Sequence, residues 1–275
     1  MSAGYGVAAS LGIGIGDHLS RGAAERGGLR QTLCVVFLVS APVSVVGALL
    51  IGSEWRGDDM LLGALTGLLA VVALVCLYLG YASATAGVVG PPAAVVAVLL
   101  PVAVDFATEG MPEARVVAGV GIGVASVLAI SYAPLFGGNV RRGLFFSVFA
   151  GLGYGSLFIV LDQLSPESGF WPVVAQRLVA FGCMAIACLV VRERILPSGP
   201  VLRTASLGAA VAGLGALSFV YGVQHGDLAP IAVTGTQYAA VTVVCGILFR
   251  GERLWWWQVL GLCGSVTAVG LLVAG

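Results

Sequence analysis

Charged side chains are scarce in this sequence. Only 9% of residues are charged, with 13 basic and 13 acidic side chains, whereas ordinary soluble domains carry about 25%. Lysine is absent, so every basic side chain is an arginine. A formal net charge of zero without a basic cluster gives no indication of a nucleic-acid partner.

Motifs for metal, cofactor or nucleotide chemistry are also missing. The six cysteines lie in apolar runs and form neither CxxC pairs nor a Cys/His zinc pattern, so we expect buried packing residues. Glycine series such as Gly119-x-Gly121-x-Gly123 lack the GxGxxG spacing and a preceding strand. No HExxH, GxSxG or Asp-rich motif occurs. We therefore predict no cofactor and no use of ATP.

Apolar residues dominate instead, at 59% of the chain, and the mean hydropathy is +1.04. A membrane-spanning helix needs about 20 mostly apolar residues. No positively charged segment precedes the first apolar run, so we expect that run to belong to the mature protein. The sequence predicts an all-α integral membrane protein of ten transmembrane helices, with cores near 3–20, 31–51, 60–80, 86–106, 114–133, 143–161, 171–191, 204–222, 228–249 and 255–273.

One pattern occurs twice along the chain: an apolar run, a polar break containing glutamate, and a glycine-rich apolar run. The first copy covers 100–123, with its break at Glu109, and the second covers 243–262, with its break at Glu252. Each half holds five predicted helices, an odd number, so the second half must enter the membrane from the opposite side. We predict two inverted five-helix repeats, residues 1–138 and 139–275.

Arginine placement predicts the orientation in the membrane, because short cytoplasmic loops are enriched in positive charge. One face carries only Arg56 and Arg115. We therefore predict that the loops of the other, arginine-rich face are cytoplasmic and that both termini are external. The predicted location is the inner membrane of a bacterial cell. The opposite, arginine-rich face carries Arg21, Arg26, Arg30, Arg141, Arg142, Arg192, Arg194, Arg203, Arg250 and Arg253.

These repeats resemble the EamA-type members of the drug/metabolite transporter superfamily. The stretch 249–254, followed by Gln258, Gly261 and Gly270, resembles the family's Gly-Glu break and final glycine-rich helix. Arg177 resembles the arginine found early in the second helix of each repeat. The opening segment lacks the tryptophan common in the family's first helix. The resemblance implies transport of a small metabolite, often an amino acid or related compound and commonly as export.

A set of polar residues within the apolar runs forms the predicted substrate site. Tyrosine and glutamine can hold a polar substrate without burying a charge, and aromatic faces attract cations. In the family the corresponding helices surround the central cavity. The alternative is interfacial placement, especially for Tyr81 and Tyr221, while Arg177 either contacts a substrate anion or extends towards the interface. The predicted substrate-binding residues are Tyr78, Tyr154, Arg177, Gln237 and Tyr238.

Asp105 and Glu109 are the predicted proton-coupling residues. They are four residues apart on one helix face, and a charge inside a bilayer is costly unless it finds a partner, water or a proton. The alternative is that both reach the aqueous boundary near Arg115. Glu252 is predicted to cap the second break and pair with Arg250 or Arg253. His18 is predicted, like His225, to be solvated near a helix end.

Three functional classes follow from these features. We favour a secondary transporter that works by alternating access, because the polar residues are distributed along helices as a cavity requires. Its partners are then a small-molecule substrate, the lipid bilayer and protons. The alternatives are a membrane-embedded lipid-modifying enzyme and a non-transporting scaffold.

Overall fold

The computed structural model describes residues 2–109, 114–131, 139–225 and 237–273. These ranges hold ten α-helices, one 3-10 turn and no strand, which confirms the predicted all-helical class. The part of the predicted ninth helix before residue 237 lies outside them. The helices are α1 (Ser2–Gly27), α2 (Leu29–Ile51), α3 (Gly57–Ser83), α4 (Ala86–Glu109), α5 (Ala114–Ser131), α6 (Val140–Asp162), α7 (Trp171–Val190), α8 (Gly199–His225), α9 (Tyr238–Arg250) and α10 (Trp256–Val273).

Five helical segments are long and apolar enough to cross a membrane, namely Leu29–Ile51, Gly57–Ser83, Val140–Asp162, Trp171–Val190 and Gly199–Phe219. Shorter apolar segments occur in α4, α5, α9 and α10. Together they make this a multi-pass membrane protein. Helix α1 spans 26 residues, a length of about 39 Å. Its predicted core ended near residue 20, but the helix continues to Gly27.

Small residues let helices from the two halves of the chain approach closely. Where α1 crosses α8, a Cβ atom on Gly12 would lie 2.7 Å from the Cα atom of Gly215. Where α6 crosses α3, a Cβ atom on Gly153 would lie 2.9 Å from the Cβ atom of Ala73. Backbone therefore meets backbone or alanine at both crossings, and a larger side chain has no room there.

The helices of the two halves alternate in space. Helix α1 packs against α8 and α9, while α6 packs against α3 and α4. Helix α2 contacts α7 and α8, and α3 contacts α7. The pairs α5 with α10 and α4 with α9 complete the arrangement. The bundle therefore has a shared interior rather than two separate cores.

The loop between α2 and α3 contacts the loop between α6 and α7. The backbone N–H of Glu54 donates to the carbonyl oxygen of Glu167 at 2.7 Å, and the Trp171 indole N–H donates to the carbonyl oxygen of Ser53 at 3.1 Å. The rings of Trp55 and Trp171 meet edge to face at 5.3 Å. These contacts join the α2–α3 loop to the α6–α7 loop and hold α2 beside α7.

Candidate functional site

A carboxylate inside α1 is the centre of the polar site. Asp17 interacts electrostatically with one guanidinium and with four phenol groups, contributed by four other helices. We call these six residues the Asp17 cluster. The partners of Asp17 are Tyr78 and Tyr81 on α3, Tyr154 on α6, Arg177 on α7 and Tyr238 on α9.

Close helix crossings bring these side chains together. A Cβ atom on Gly14 would lie 2.7 Å from the carbonyl oxygen of Tyr238, so the missing side chain lets the start of α9 approach α1. Thr242 strengthens this contact, because its hydroxyl donates to the carbonyl oxygen of Gly14 at 3.2 Å. Tyr154 directly follows Gly153, the residue at the crossing of α6 with α3.

Helix α7 is held against α3 next to Arg177. The side-chain amide of Gln176 donates to the Thr66 hydroxyl at 3.1 Å, and both groups are buried. A Cβ atom on Gly67 would lie 2.7 Å from the carbonyl oxygen of Gln176. This packing fixes the register of α7, and Arg177 follows one residue later. Its Nε atom is buried and has no hydrogen-bond partner among the described residues.

The cluster combines buried and accessible groups. Tyr78 and Tyr81 are each only 4% exposed, whereas Asp17, Arg177 and Tyr154 are partly exposed within the bundle. The Tyr78 hydroxyl lies near the Ser20 side chain, which is close to Asp17 along α1. The site therefore offers a carboxyl group, a guanidinium and several hydroxyl groups in a bundle whose other surfaces are largely apolar.

The structure places four of the predicted substrate residues in this cluster, namely Tyr78, Tyr154, Arg177 and Tyr238. Gln237 stands at the N-cap of α9, where it lines a small cavity with Pro91 of α4 and Leu262 of α10. Tyr221 is exposed and its ring lies 5.6 Å from that of Tyr5. Tyr81, by contrast, is buried in the cluster rather than interfacial.

The predicted proton-coupling pair cannot be placed in the same way. The backbone of Asp105 and Glu109 belongs to α4, but both side chains lie outside the described part of the structure. The His225 side chain also lies outside it. Among the described residues, no group of three or more His, Cys, Asp or Glu side chains could hold a metal ion.

Asp17 is the residue that sequence reasoning missed. The first helix was predicted to end soon after Asp17 and His18. In the structure α1 continues for nine residues beyond His18, to Gly27. His18 is therefore inside a helix and not near its end, with a buried Nδ1 atom and its ring 5.6 Å from that of Phe249. The sequence did contain a signal for Asp17: it is a single carboxylate in an otherwise uncharged stretch of a predicted span. Such a charge is costly within a bilayer and therefore indicates a functional residue.

A second group of charged residues lies about one turn along α1 from Asp17, and we call it the Arg21 network. Arg21 Nη1 is 2.7 Å from Glu252 Oε1, and its Nε donates to Glu25 at 3.2 Å. Arg250 pairs with Glu25 and lies 3.9 Å from Glu252. The Arg21 guanidinium also covers the Tyr81 ring at 5.0 Å, so Tyr81 contacts both the network and the Asp17 cluster.

Glu252 has a different capping role from the predicted one. Its Oε2 atom accepts a hydrogen bond from the backbone N–H of Ala86 at 2.8 Å, so it caps α4 rather than its own break. Its ion pairs are with Arg21 and Arg250, whereas Arg253 forms none among the described residues. A cleft of about 470 Å³ on this face of the bundle is lined by Arg21, Arg250 and Glu252.

Comparison with known proteins indicates a family for the second half of the chain. Residues 141–274, nearly half of the chain, match the EamA-like transporter family. No curated protein matches this chain. A solved structure titled "Crystal structure of protein" is 14% identical in sequence to this chain and superposes with a TM-score of 0.68. The alignment covers 98% of this chain and 95% of that chain. Because this likeness covers nearly the whole chain, the two proteins share a fold on both sides of residue 141.

Proposed function

We propose that this protein is an EamA-like secondary transporter that exports a small zwitterionic metabolite, an amino acid or a related compound. The observation that supports this is the Asp17 cluster, in which Asp17 and Arg177 come from different halves of the chain. The match of residues 141–274 to a transporter family favours transport over the enzyme and scaffold alternatives. Charges within a membrane bundle are costly, so a function that uses both signs of charge explains their presence.

The chemistry of the cluster suits a substrate with two opposite charges. The planar guanidinium of Arg177 matches a carboxylate in geometry, and Asp17 complements an ammonium group. Tyr154 and Tyr238 then supply hydroxyl groups for hydrogen bonds and ring faces for the cation. A zwitterion would replace the interaction between Asp17 and Arg177 without leaving either charge unpaired.

Alternating access would follow from the symmetry of the contacts. If α1–α5 and α6–α10 are two inverted repeats, the pair α1 with α8 corresponds to α6 with α3. In the same way α1 with α9 corresponds to α6 with α4. This correspondence supports the division into residues 1–138 and 139–275. Rocking of one repeat against the other would then expose the Asp17 cluster to each side in turn.

The Arg21 network is the proposed closing contact on the arginine-rich side. It joins the end of α1 to the α9–α10 connection and, through Glu252, to the start of α4. Opening it would connect the cleft of about 470 Å³ with the Asp17 cluster. By the distribution of arginine this side is cytoplasmic, and the membrane is the inner membrane.

Proton coupling is proposed for Asp105 and Glu109. Both belong to α4, the helix that Glu252 caps at its start, so α4 is linked to the Arg21 network. A proton entering down its gradient on one of these carboxylates would return the empty carrier after substrate release. Export of the metabolite would then be driven by proton entry.

The test is binding followed by counterflow. Purified protein in detergent is mixed with neutral amino acids, with their amides and with their N-acetyl derivatives, and the thermal midpoint is measured. We expect stabilisation by zwitterions only, and its loss in Asp17→Asn and Arg177→Gln. Asp162→Asn, which changes an exposed carboxylate at the end of α6, is the matched control. Equal stabilisation by amides and amino acids would contradict the zwitterion.

Transport is then measured in liposomes by counterflow, with and without an imposed proton gradient. We expect flux to respond to the gradient in the original chain and to lose that response in Asp105→Asn or Glu109→Gln. Flux that ignores the gradient in every variant would remove the proton-coupling proposal and leave the substrate proposal standing.

A further inference from the structure

A lateral groove separates α1 from parts of α8 and α9, outside the Asp17 cluster. Its volume is about 630 Å³. One end is apolar, with Ile15 and Leu19 on α1 and Phe249 on α9. Phe249 is 75% exposed, so the groove opens sideways, towards the space that lipid occupies around a spanning helix. The other end is polar and lies at the arginine-rich face.

The polar end holds an arginine without a partner. Arg26 is exposed, and none of the described residues forms an ion pair or a hydrogen bond with it. Arg250 is the second cation of the groove and pairs with Glu25, which also lines it. Because Glu25 is shared between Arg250 and Arg21, its charge is already neutralised. The groove therefore carries a positive excess centred on Arg26.

We propose that this groove binds one anionic phospholipid, with the phosphate between Arg26 and Arg250 and an acyl chain along Ile15, Leu19 and Phe249. Basic pockets between spanning helices at the cytoplasmic side suit such headgroups, since arginine binds phosphate oxygens through parallel hydrogen bonds. The Thr204 side chain lines the same end, but its hydroxyl donates to the carbonyl oxygen of Pro200 at 3.1 Å, so the two arginines supply the phosphate contacts. A lipid with a positive headgroup would instead bring its ammonium group towards Arg26. The groove therefore selects a net negative lipid.

Gly22 provides a way to fill the groove without changing its charge. It lies between the polar and apolar ends, and a Cβ atom there would approach only Arg250 Nη1, at 3.9 Å. A leucine at this position would therefore extend into the groove without striking the backbone. An alanine would leave most of the groove open.

The experiment titrates the full chain, purified in neutral detergent, with dioleoylphosphatidylglycerol and follows the thermal midpoint. Dioleoylphosphatidylcholine and free glycerol 3-phosphate are titrated in parallel. We expect phosphatidylglycerol alone to raise the midpoint. Arg26→Gln should weaken the apparent affinity for phosphatidylglycerol about fivefold, which is the contribution of one arginine near an anionic membrane surface. Gly22→Leu should abolish the rise of the midpoint. Arg141→Gln, an exposed arginine outside the groove, and Gly22→Ala should bind as the original chain does.

Four results would overturn the proposal. Equal stabilisation by phosphatidylcholine would show that charge is not recognised. An equal effect of glycerol 3-phosphate would show an anion site without a lipid. Equal losses in Arg26→Gln and Arg141→Gln, or full binding by Gly22→Leu, would place the lipid elsewhere on the surface. None of these measurements depends on the identity of the transported metabolite.

Discussion

Arg21 Nη1 lies 2.7 Å from Glu252 Oε1, and the two side chains are only 6% and 9% exposed. They are separated by most of the chain, yet this pair joins α1 to the connection between α9 and α10. Glu252 also accepts the backbone N–H of Ala86. The contact therefore holds the ends of three helices together on the arginine-rich face.

Removing one partner of this pair should destabilise the fold. Arg21→Met leaves Glu252 buried without its main counter-charge, and such losses cost about 3–5 kcal/mol. We expect a lower free energy of unfolding, measured by denaturant titration in detergent. The exposed Arg253→Gln is the control and should change little. In a double-mutant cycle, Arg21→Met combined with Glu252→Gln should cost less than the sum of the single changes. Additive losses would argue against the pair.

The crossing of α1 with α8 should not accept a methyl group. Gly12→Ala would place its Cβ atom 2.7 Å from the Cα atom of Gly215, so the helices must move apart, at a cost of about 1–3 kcal/mol. Gly182→Ala in α7 meets nothing within 4 Å and should be neutral or slightly stabilising. Thermal midpoints of the two variants test this difference. Equal midpoints would mean that the crossing is looser than described.

A single hydroxyl in the Asp17 cluster should affect ligand affinity but not folding. Tyr154→Phe removes one hydrogen-bonding group and keeps the ring, so we expect affinity for the transported zwitterion to fall about 3- to 10-fold. Tyr221→Phe, on an exposed ring, should leave affinity unchanged. Titration calorimetry measures both. A matching loss in the two variants would argue against a specific role for the cluster.

The ion pair at the loop after α7 should respond to pH. Arg30 donates two hydrogen bonds to Glu193, at 2.9 and 2.6 Å, and these bonds lower the pKa of Glu193 below its ordinary value. A carboxyl group with a lowered pKa stabilises the fold above its unfolded pKa, about 4.3, and loses that contribution as pH falls through the folded pKa.

Glu193→Gln provides the comparison for that prediction. The stability of the original chain should exceed that of Glu193→Gln at pH 7, by a small amount because both side chains of the pair are exposed. The two stability curves should converge at acidic pH. A difference that persists after protonation would have to come from packing rather than from the ion pair.

The helices could be predicted from the sequence because bilayer length and hydropathy are local properties. The same reasoning located Tyr78, Tyr154, Arg177 and Tyr238, which are polar residues inside apolar runs. Asp17 and Arg21 were harder, because each looked like a charge at the end of a short helix. Their partners, Arg177 and Glu252, come from distant parts of the chain, and no local pattern indicates which charges will meet.

The crossing of α1 with α8 has a consequence for how the protein is made. Ribosomes add about 5–20 residues per second, so α8 is complete roughly 10 to 40 s after α1 is complete. Asp17 lacks Arg177 for most of that interval, and Arg21 lacks Glu252 until after α8 is complete. A helix with unpaired charges inserts poorly into lipid. We therefore expect stable insertion of α1 to be completed only after translation of the second half.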